Sequence, residues 1–120
     1  MRQQSNCMEK NKTEIEELID RLIKFRDERN WEQFHNSKDL ALALSIEAAE
    51  LTELFLWKNP EDVNIEKLKE ELADVFIYAL LLAGKCDLNI KQIILDKIQI
   101  NEKKYPTEKA RNTAKKYNDL

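Results

Sequence analysis

Glycine, proline and cysteine are scarce in this sequence. Its 120 residues include one glycine, two prolines and two cysteines. So few turn-forming residues argue against a sheet with many tight turns, and the abundance of Leu, Ile, Ala, Glu and Lys favours long helices. The sequence therefore predicts an all-α fold in a single domain.

Long hydrophobic runs, paired cysteines and an excess of basic charge are also missing. The longest apolar run, residues 75–84, is too short to span a membrane. Cys7 and Cys86 lie far apart without a CxxC spacing, and the residues before them show no apolar run or cleavage pattern typical of a signal peptide, so we expect free thiols in a cytoplasmic protein. A formal charge of −3 argues against nucleic acid or an anionic membrane as partner.

The chain divides by pattern into three parts. Residues 1–12 are mostly polar and without periodicity, which predicts a mobile leader. Apolar residues recur at helical spacing over residues 13–106, which predicts the helical domain. Residues 107–120 are polar and rich in lysine, which predicts a basic tail.

Four helices are predicted within the domain. Thr13 and Glu16 have capping-box spacing before the first helix, which we expect to end near residue 29. The second and third helices are apolar on almost every side, so we expect both to be buried. The predicted bounds of the other helices are residues 39–57, residues 65–85, and from Asn89 to just before Pro106.

Four acids lie in the two most apolar helices. Glu47 and Glu50 are three residues apart, as are Glu71 and Asp74, so each pair shares a helix face. Two carboxylates about 4 Å apart repel by roughly 4 kcal/mol at an effective dielectric of 20. Protons or cations must therefore neutralise the cluster, and carboxylate ligands without sulfur or clustered imidazole favour Mg²⁺, with Mn²⁺ as a substitute.

Other interpretations of these acids remain open at this point. Glu-rich helices commonly expose carboxylates to solvent, and a single ExxE pattern is weak. Glu32 and His35 have the ExxH spacing of di-iron bundles, but that site needs two such motifs and the chain has one histidine. Glu53 could assist a water molecule, whereas Glu70 is expected to face solvent.

Aromatic and basic side chains could bind a nucleotide around the acids. Trp31, His35, Trp57 and Tyr78 could form a surface on which a base stacks, although tryptophans at helix ends more often cap a core. Basic residues of the fourth helix and tail could contact triphosphate oxygens, although most lysines there are expected to be solvated. The basic candidates are Lys97, Lys104, Arg111 and Lys116.

The sequence resembles the MazG-like all-α NTP pyrophosphohydrolases, and most closely their dCTP pyrophosphatase branch. The resemblance covers roughly residues 15–120. It is carried by the segments WEQFHNSKDLALALSIEAAELTELFLWK, EELADVFIYALLLA, KIQINEKKYP and RNTAKKYNDL. The paired acidic motif is shared across the superfamily, whereas the WEQFH and FLWK motifs are more specific and indicate this branch.

The resemblance implies hydrolysis of a nucleoside triphosphate, dCTP or a modified dCTP, to the monophosphate and pyrophosphate. It implies Glu47, Glu50, Glu71 and Asp74 as Mg²⁺ ligands. As a separate hypothesis, we expect Glu47 or Glu50 to orient or deprotonate the attacking water. The resemblance also implies a four-helix bundle completed by a homodimer or a homotetramer. The residues that it places around the nucleotide are Trp31, His35, Trp57 and Tyr78, with Lys97 and Asn101 as helpers.

Two alternative functions remain open. The first is a non-catalytic helical interaction module whose acids keep a dimer in solution. The second is a related pyrophosphohydrolase that acts on dUTP or another nucleotide. Magnesium-dependent stabilisation by a non-hydrolysable dCTP analogue separates the first alternative from an enzyme, and a substrate panel distinguishes the second.

Overall fold

The computed structural model describes residues 11–120. Most of the predicted leader, together with Cys7, lies outside the described residues. Over residues 11–120 the regular structure is helical, with five α-helices and three short 3₁₀ turns. The predicted all-α class is confirmed.

The first helix, α1, spans Glu14–Glu28. Thr13 caps it, because the hydroxyl oxygen of Thr13 accepts a hydrogen bond from the backbone N–H of Glu16 at 3.2 Å. The helix ends where Asn30 adopts a positive φ of 52°. A 3₁₀ turn over Glu32–Phe34 then leads to the second helix. The predicted start and end of α1 are therefore confirmed.

Helix α2 spans Ser37–Glu53 and ends earlier than the prediction of residue 57. Its start is set by Asn36, whose side-chain oxygen accepts a hydrogen bond from the backbone N–H of Asp39 at 2.8 Å. After Glu53 the backbone bonds shorten to three-residue turns, and Trp57 adopts a left-handed φ of 64°. The α-helical bonding therefore gives way to turns at Leu54, and the left-handed Trp57 lies where the sequence predicted the end of the helix.

Helix α3 spans Ile65–Lys85, as the sequence predicts, and follows a 3₁₀ turn over Pro60–Asp62. Asn64 caps it through a 3.1 Å bond from the backbone N–H of Lys67. Helices α2 and α1 both pack against α3. A Cβ added at Gly84 would lie 3.1 Å from Cγ2 of Ile19, so α1 approaches α3 closely at the one glycine of the sequence.

Burial is much sparser than the apolar second and third helices predict. Among the described residues only Leu40, Leu81 and Ala83 are buried. On α2, Ile46 is 58% exposed, and on α3 Phe76 is 59% exposed. The expectation that both helices are buried all round is therefore wrong for one chain, because three helices packed side by side leave their outer faces uncovered.

The chain divides after Leu88 into two compact units, and the second unit covers Asn89–Leu120. It contains α4, Ile90–Lys104, a short α5, Thr107–Ala110, and a 3₁₀ turn over Tyr117–Asp119. The predicted cap of α4 is confirmed, because the side-chain oxygen of Asn89 accepts a hydrogen bond from the backbone N–H of Gln92 at 3.0 Å. The expected division into a domain at residues 13–106 and a basic tail at 107–120 stays a prediction.

Within the second unit, aromatic contacts hold its C-terminal residues against the end of α4. The ring centroids of Tyr105 and Tyr117 lie 6.2 Å apart in an edge-to-face arrangement. The ammonium group of Lys104 lies 4.8 Å from the centroid of the Tyr117 ring. Such contacts between a cation or an aromatic edge and a ring are attractive, so they order the tail within this unit.

Membrane insertion is a separate question. None of the helices over residues 11–120 combines the length and the apolar character that a bilayer-spanning segment needs.

Candidate active site

Three of the four predicted metal ligands meet between α2 and α3. Glu47, Glu71 and Asp74 each direct a carboxylate oxygen into one group, and these oxygens lie within 4.8 Å of one another. Helical spacing places Glu71 and Asp74 on one face of α3, and packing of α2 along α3 brings Glu47 to that face. The arrangement concentrates negative charge in one place.

The cluster changes the protonation of its own members. Burial, hydrogen bonding with Glu50 and the charges of Glu50, Asp74 and Glu71 together raise the pKa of Glu47 to about 7. The pKa of Glu71 is also raised, first by loss of hydration and then by the nearby charge of Glu50. These shifts are the expected response of carboxylates that are crowded without a counter-ion.

Two oxygens of the cluster are left without a partner. Oε2 of Glu47 and Oε2 of Glu71 are buried, and neither has a hydrogen-bond partner. An unsatisfied buried oxygen is costly, and a cation that accepts electron pairs from both would remove that cost. Glu50, the fourth predicted ligand, stands beside them, since it contributes to the raised pKa of both Glu47 and Glu71.

A larger cavity, with a volume of about 720 Å³, opens beside the acids. Glu47 and Asp74 line it together with the predicted base-binding residues Trp31, His35 and Tyr78. Burial, and then the charges of Glu47, Asp74 and Glu50, raise the pKa of Tyr78, so its hydroxyl keeps its proton. The cavity therefore joins an aromatic surface to the acidic cluster.

The surroundings of His35 in this cavity favour its neutral imidazole. Its pKa is lowered, first by burial and then by the positive charges of Arg26 and Lys85. Its Nδ1 atom is buried and has no hydrogen-bond partner. A neutral imidazole offers one donor and one acceptor nitrogen, so His35 can hydrogen-bond the edge of a bound base.

Trp57 is placed differently from the other predicted aromatic residues. Its side chain is 94% exposed, and it does not line the larger cavity. Trp31, by contrast, is 44% exposed and packs edge to face on Phe25, with 5.9 Å between the ring centroids. Within one chain, therefore, Trp31 accompanies His35 and Tyr78, and Trp57 does not.

The predicted residues of the second unit all lie on its surface. Lys97, Asn101 and Lys104 follow one face of α4 at helical spacing and are exposed. Arg111 follows α5, and Lys116 precedes the last 3₁₀ turn. Their participation in nucleotide binding stays a prediction.

Helix α1 contributes to the larger cavity, which was not predicted from the sequence. Arg26 lines it with a side chain only 12% exposed, and its guanidinium lies 2.8 Å from the carboxylate of Asp27 and 4.0 Å from that of Glu32. Lys85 of α3 pairs with the same Glu32 at 3.7 Å. This network ties the turn that carries His35 to α1 and α3. The sequence signal for this contribution was the group of arginines around Phe25 in the last turns of α1.

A smaller cavity, of about 470 Å³, lies at the other two acids. Glu50 and Glu71 line it, and so does Glu53, which the sequence suggested as a helper for water. Lys58, in the segment after α2, and Lys67, in the first turn of α3, also line it. Neither lysine was singled out for substrate binding from the sequence.

Comparison with known proteins agrees with this arrangement. Residues 42–120, which contain all four acids, match the family described as MazG-like. The chain belongs to the MazG-like family.

The chain is also similar to individual proteins whose activity is described. A protein described as dCTP pyrophosphatase 1 from Bos taurus is 41% identical over an alignment that covers 80% of this chain and 62% of the relative. The protein of the same description from Homo sapiens is 40% identical, with 80% and 61% covered. The chain thus spans about three-fifths of the length of these relatives.

A solved structure of similar size supports the fold assignment. It is a pyrophosphatase from Archaeoglobus fulgidus, 40% identical in sequence, with a TM-score of 0.72. The similarity covers 80% of this chain and 95% of the archaeal one. The MazG-like helical arrangement is therefore shared with a solved structure over most of both chains.

Proposed function

We propose that this protein is a nucleoside triphosphate pyrophosphohydrolase that converts dCTP, or a modified dCTP, to the monophosphate and pyrophosphate. The observation that carries the proposal is the group of Glu47, Glu71 and Asp74 carboxylates within 4.8 Å at the edge of an aromatic-lined cavity. The relatives named dCTP pyrophosphatase 1 supply the base and the reaction.

The acids fit a divalent cation, and we propose Mg²⁺, with Mn²⁺ as a substitute. The donor set is entirely carboxylate oxygen, which hard cations prefer, and two of its oxygens are buried without a partner. Glu47, Glu50, Glu71 and Asp74 would hold the metal. When bound, it would neutralise charge on the phosphate oxygens during phosphoryl transfer.

The chain's own residues then bind the nucleotide and handle the proton. Glu47 and Glu50 are adjacent on α2, and one of them accepts the proton of the water that attacks the phosphorus. Tyr78, which keeps its proton, can donate a hydrogen bond to the sugar or a phosphate oxygen.

The base would bind in the larger cavity. Trp31 provides a ring on which a pyrimidine can stack, and His35 provides a hydrogen-bonding nitrogen without a charge. Burial, and then the positive charges of Arg26 and Lys85, lower the pKa of His35 and so favour its neutral form. Lys97, Asn101, Lys104, Arg111 and Lys116 are proposed as further contacts to the substrate, and Trp57 as a contact contributed in an oligomer.

A second copy of this chain is the proposed protein partner. Large apolar side chains on α2 and α3 are exposed in the single chain, among them Ile46 at 58% and Phe76 at 59%. Exposed apolar surface of this extent on two neighbouring helices favours association. We therefore propose a homodimer or a dimer of dimers in the cytoplasm.

Pyrophosphate release from each canonical dNTP and from 5-methyl-dCTP, with and without Mg²⁺, tests the function. We expect release that requires the cation and is fastest with dCTP or its 5-methyl derivative. A preference for dUTP would show that the proposed substrate is wrong but would leave the proposed reaction, release of pyrophosphate, in place. Absence of release from every nucleotide at saturating Mg²⁺ would contradict the proposal and favour a non-catalytic interaction module.

A further inference from the structure

Two cavities of the first unit are each lined by two of the four acids. Glu47 and Asp74 line the larger cavity, and Glu50 and Glu71 line the smaller one. Because the oxygens of Glu47, Glu71 and Asp74 lie within 4.8 Å of one another, the two cavities meet at one acidic cluster. A ligand bound at the cluster therefore has space to extend in two directions.

The two cavities differ in chemistry. Phe25, Trp31 and Tyr78 give the larger cavity aromatic surface, which suits a base. The smaller cavity is mainly polar and contains two lysines, Lys58 and Lys67. A polar cavity with cationic side chains suits an anion that carries no ring.

The two lysines have no competing carboxylate partner. Over residues 11–120 no ion pair involves Lys58 or Lys67, although Glu50, Glu53 and Glu71 line the same cavity. The nearby Lys69, in contrast, is paired with Glu66 at 3.2 Å. Three carboxylates alone would repel a phosphate, so the two ammonium groups are the side chains of this cavity that can attract one.

We infer that the substrate lies across the acidic cluster, with its nucleoside in the larger cavity and its β- and γ-phosphates in the smaller cavity against Lys58 and Lys67. The inference rests on the proposed pyrophosphohydrolase function. It assigns the smaller cavity to the pyrophosphate leaving group and places the α-phosphate at the acids. Lys58 and Lys67 become substrate-binding residues.

The larger cavity offers a competing site for the phosphates. Four basic side chains of α1 line it, namely Arg21, Lys24, Arg26 and Arg29. Among the described residues, Arg21 and Lys24 form no ion pair. Arg26 is paired with Asp27, and Arg29 lies 3.6 Å from the centroid of the Phe25 ring. Arg21 and Lys24 are therefore the cations whose removal tests the opposite orientation.

Calorimetric titration of pyrophosphate and of dCMP, each with Mg²⁺ present, separates the two orientations without requiring turnover. The variants are Lys58→Met, Lys67→Met and the double variant, which keep the aliphatic stems. Lys69→Met is the matched control on α3. We expect the Kd for pyrophosphate to rise about tenfold for each single variant and about a hundredfold for the double variant. The Kd for dCMP should change less than about twofold, as should both constants in the control.

Charge-keeping variants guard against misfolding. Lys58→Arg and Lys67→Arg should bind pyrophosphate within about threefold of the original protein. Wild-type pyrophosphate binding by the double Met variant would overturn the inference. So would weakened dCMP binding with unchanged pyrophosphate binding, or a pyrophosphate defect confined to Arg21→Met and Lys24→Met. If the protein binds both products as expected but hydrolyses no nucleotide, the proposed function fails and the assignment of the cavities stands.

Discussion

Glu47 illustrates what happens at the residue scale when carboxylates are brought together. Isolated glutamates ionise well below neutrality, yet burial and neighbouring carboxyl groups raise the pKa of Glu47 to about 7. The same acid is therefore a proton carrier in the metal-free chain and an anionic ligand once a cation arrives. Protons and metal compete for this side chain, and the competition is measurable.

Stability of the metal-free protein should consequently fall as pH rises. The pKa of Glu47 is higher in the fold than its usual 4.5, so the stability linked to its proton is complete below that value and is lost as pH rises through about 7. We expect the Tm in EDTA to decrease between about pH 5 and pH 8. The decrease should be smaller in Glu47→Gln, and Mg²⁺ should raise the Tm most at the alkaline end.

The matched control for this measurement is Glu70→Gln, which removes an exposed acid next to the cluster. It should retain most of the pH dependence, since Glu70 is only the last contributor to the raised pKa of Glu71. A metal-free Tm that rises steadily over the same pH range in the original protein would contradict the coupling.

Glu50→Gln is the sharpest test of catalysis by a single residue. The substitution keeps the shape of the side chain but removes a charge that acts on both Glu47 and Glu71. We expect kcat for dCTP to fall by roughly 100-fold or more at saturating Mg²⁺. The helical circular dichroism should be unchanged and the metal-free Tm unchanged or higher, because a repulsive charge has gone. Full turnover in this variant would remove Glu50 from the mechanism.

At the scale of elements, side-chain caps explain why the helix starts could be predicted. Asn36, Asn64 and Asn89 each accept a hydrogen bond from the backbone N–H three residues ahead. Such caps depend on a few neighbouring residues, so sequence is sufficient to find them. The end of α2 was predicted four residues too late, because residues 54–56 form three-residue turns and no glycine or proline there signals the change.

Close packing of α1 on α3 at Gly84 leads to a prediction about that pair of helices. Alanine there gains about 1 kcal/mol of helix propensity, but its Cβ would stand 3.1 Å from Cγ2 of Ile19. We therefore expect Gly84→Ala to change the free energy of unfolding by less than about 1 kcal/mol. Gly84→Leu should destabilise by about 1–3 kcal/mol, because it overfills the contact.

Urea unfolding of both variants measures these effects. The compensating pair, Gly84→Leu with Ile19→Ala, should recover part of the lost stability because the smaller side chain makes room. If Gly84→Leu alone unfolds at the same urea concentration as the original protein, α1 does not pack on α3 at this point.

For the whole molecule, the sparse burial is the central physical fact. Leu40, Leu81 and Ala83 are the buried hydrophobic residues of the described chain, which is few for two helices as apolar as α2 and α3. Helices of that composition are ordinarily covered on more than one side. A second copy of the chain would cover what the first leaves open, which is why we propose an oligomer.

Charge introduced on the exposed apolar side chains should disrupt that oligomer. Ile46→Lys and Phe76→Lys each place an ammonium group where a partner helix is expected to pack. Light scattering after size exclusion should show a shift to a smaller species and a lower Tm. Glu61→Lys, in the exposed turn between α2 and α3, is the control and should keep the original mass. An unchanged mass in both apolar variants would place the interface elsewhere or exclude it.

The helical class, the helix starts and the acids at three-residue spacing followed from the sequence, although α2 starts at Ser37 and not at the predicted residue 39. These features depend on local propensity, on caps and on three-residue spacing, and each involves only residues within one or two helical turns of one another. Tertiary structure alone decided which of those residues meet. It brought Glu47 of α2 to Glu71 and Asp74 of α3, put Arg26 and Phe25 of α1 beside His35, and left Trp57 exposed. Such meetings depend on how distant helices pack against each other, which local spacing does not encode.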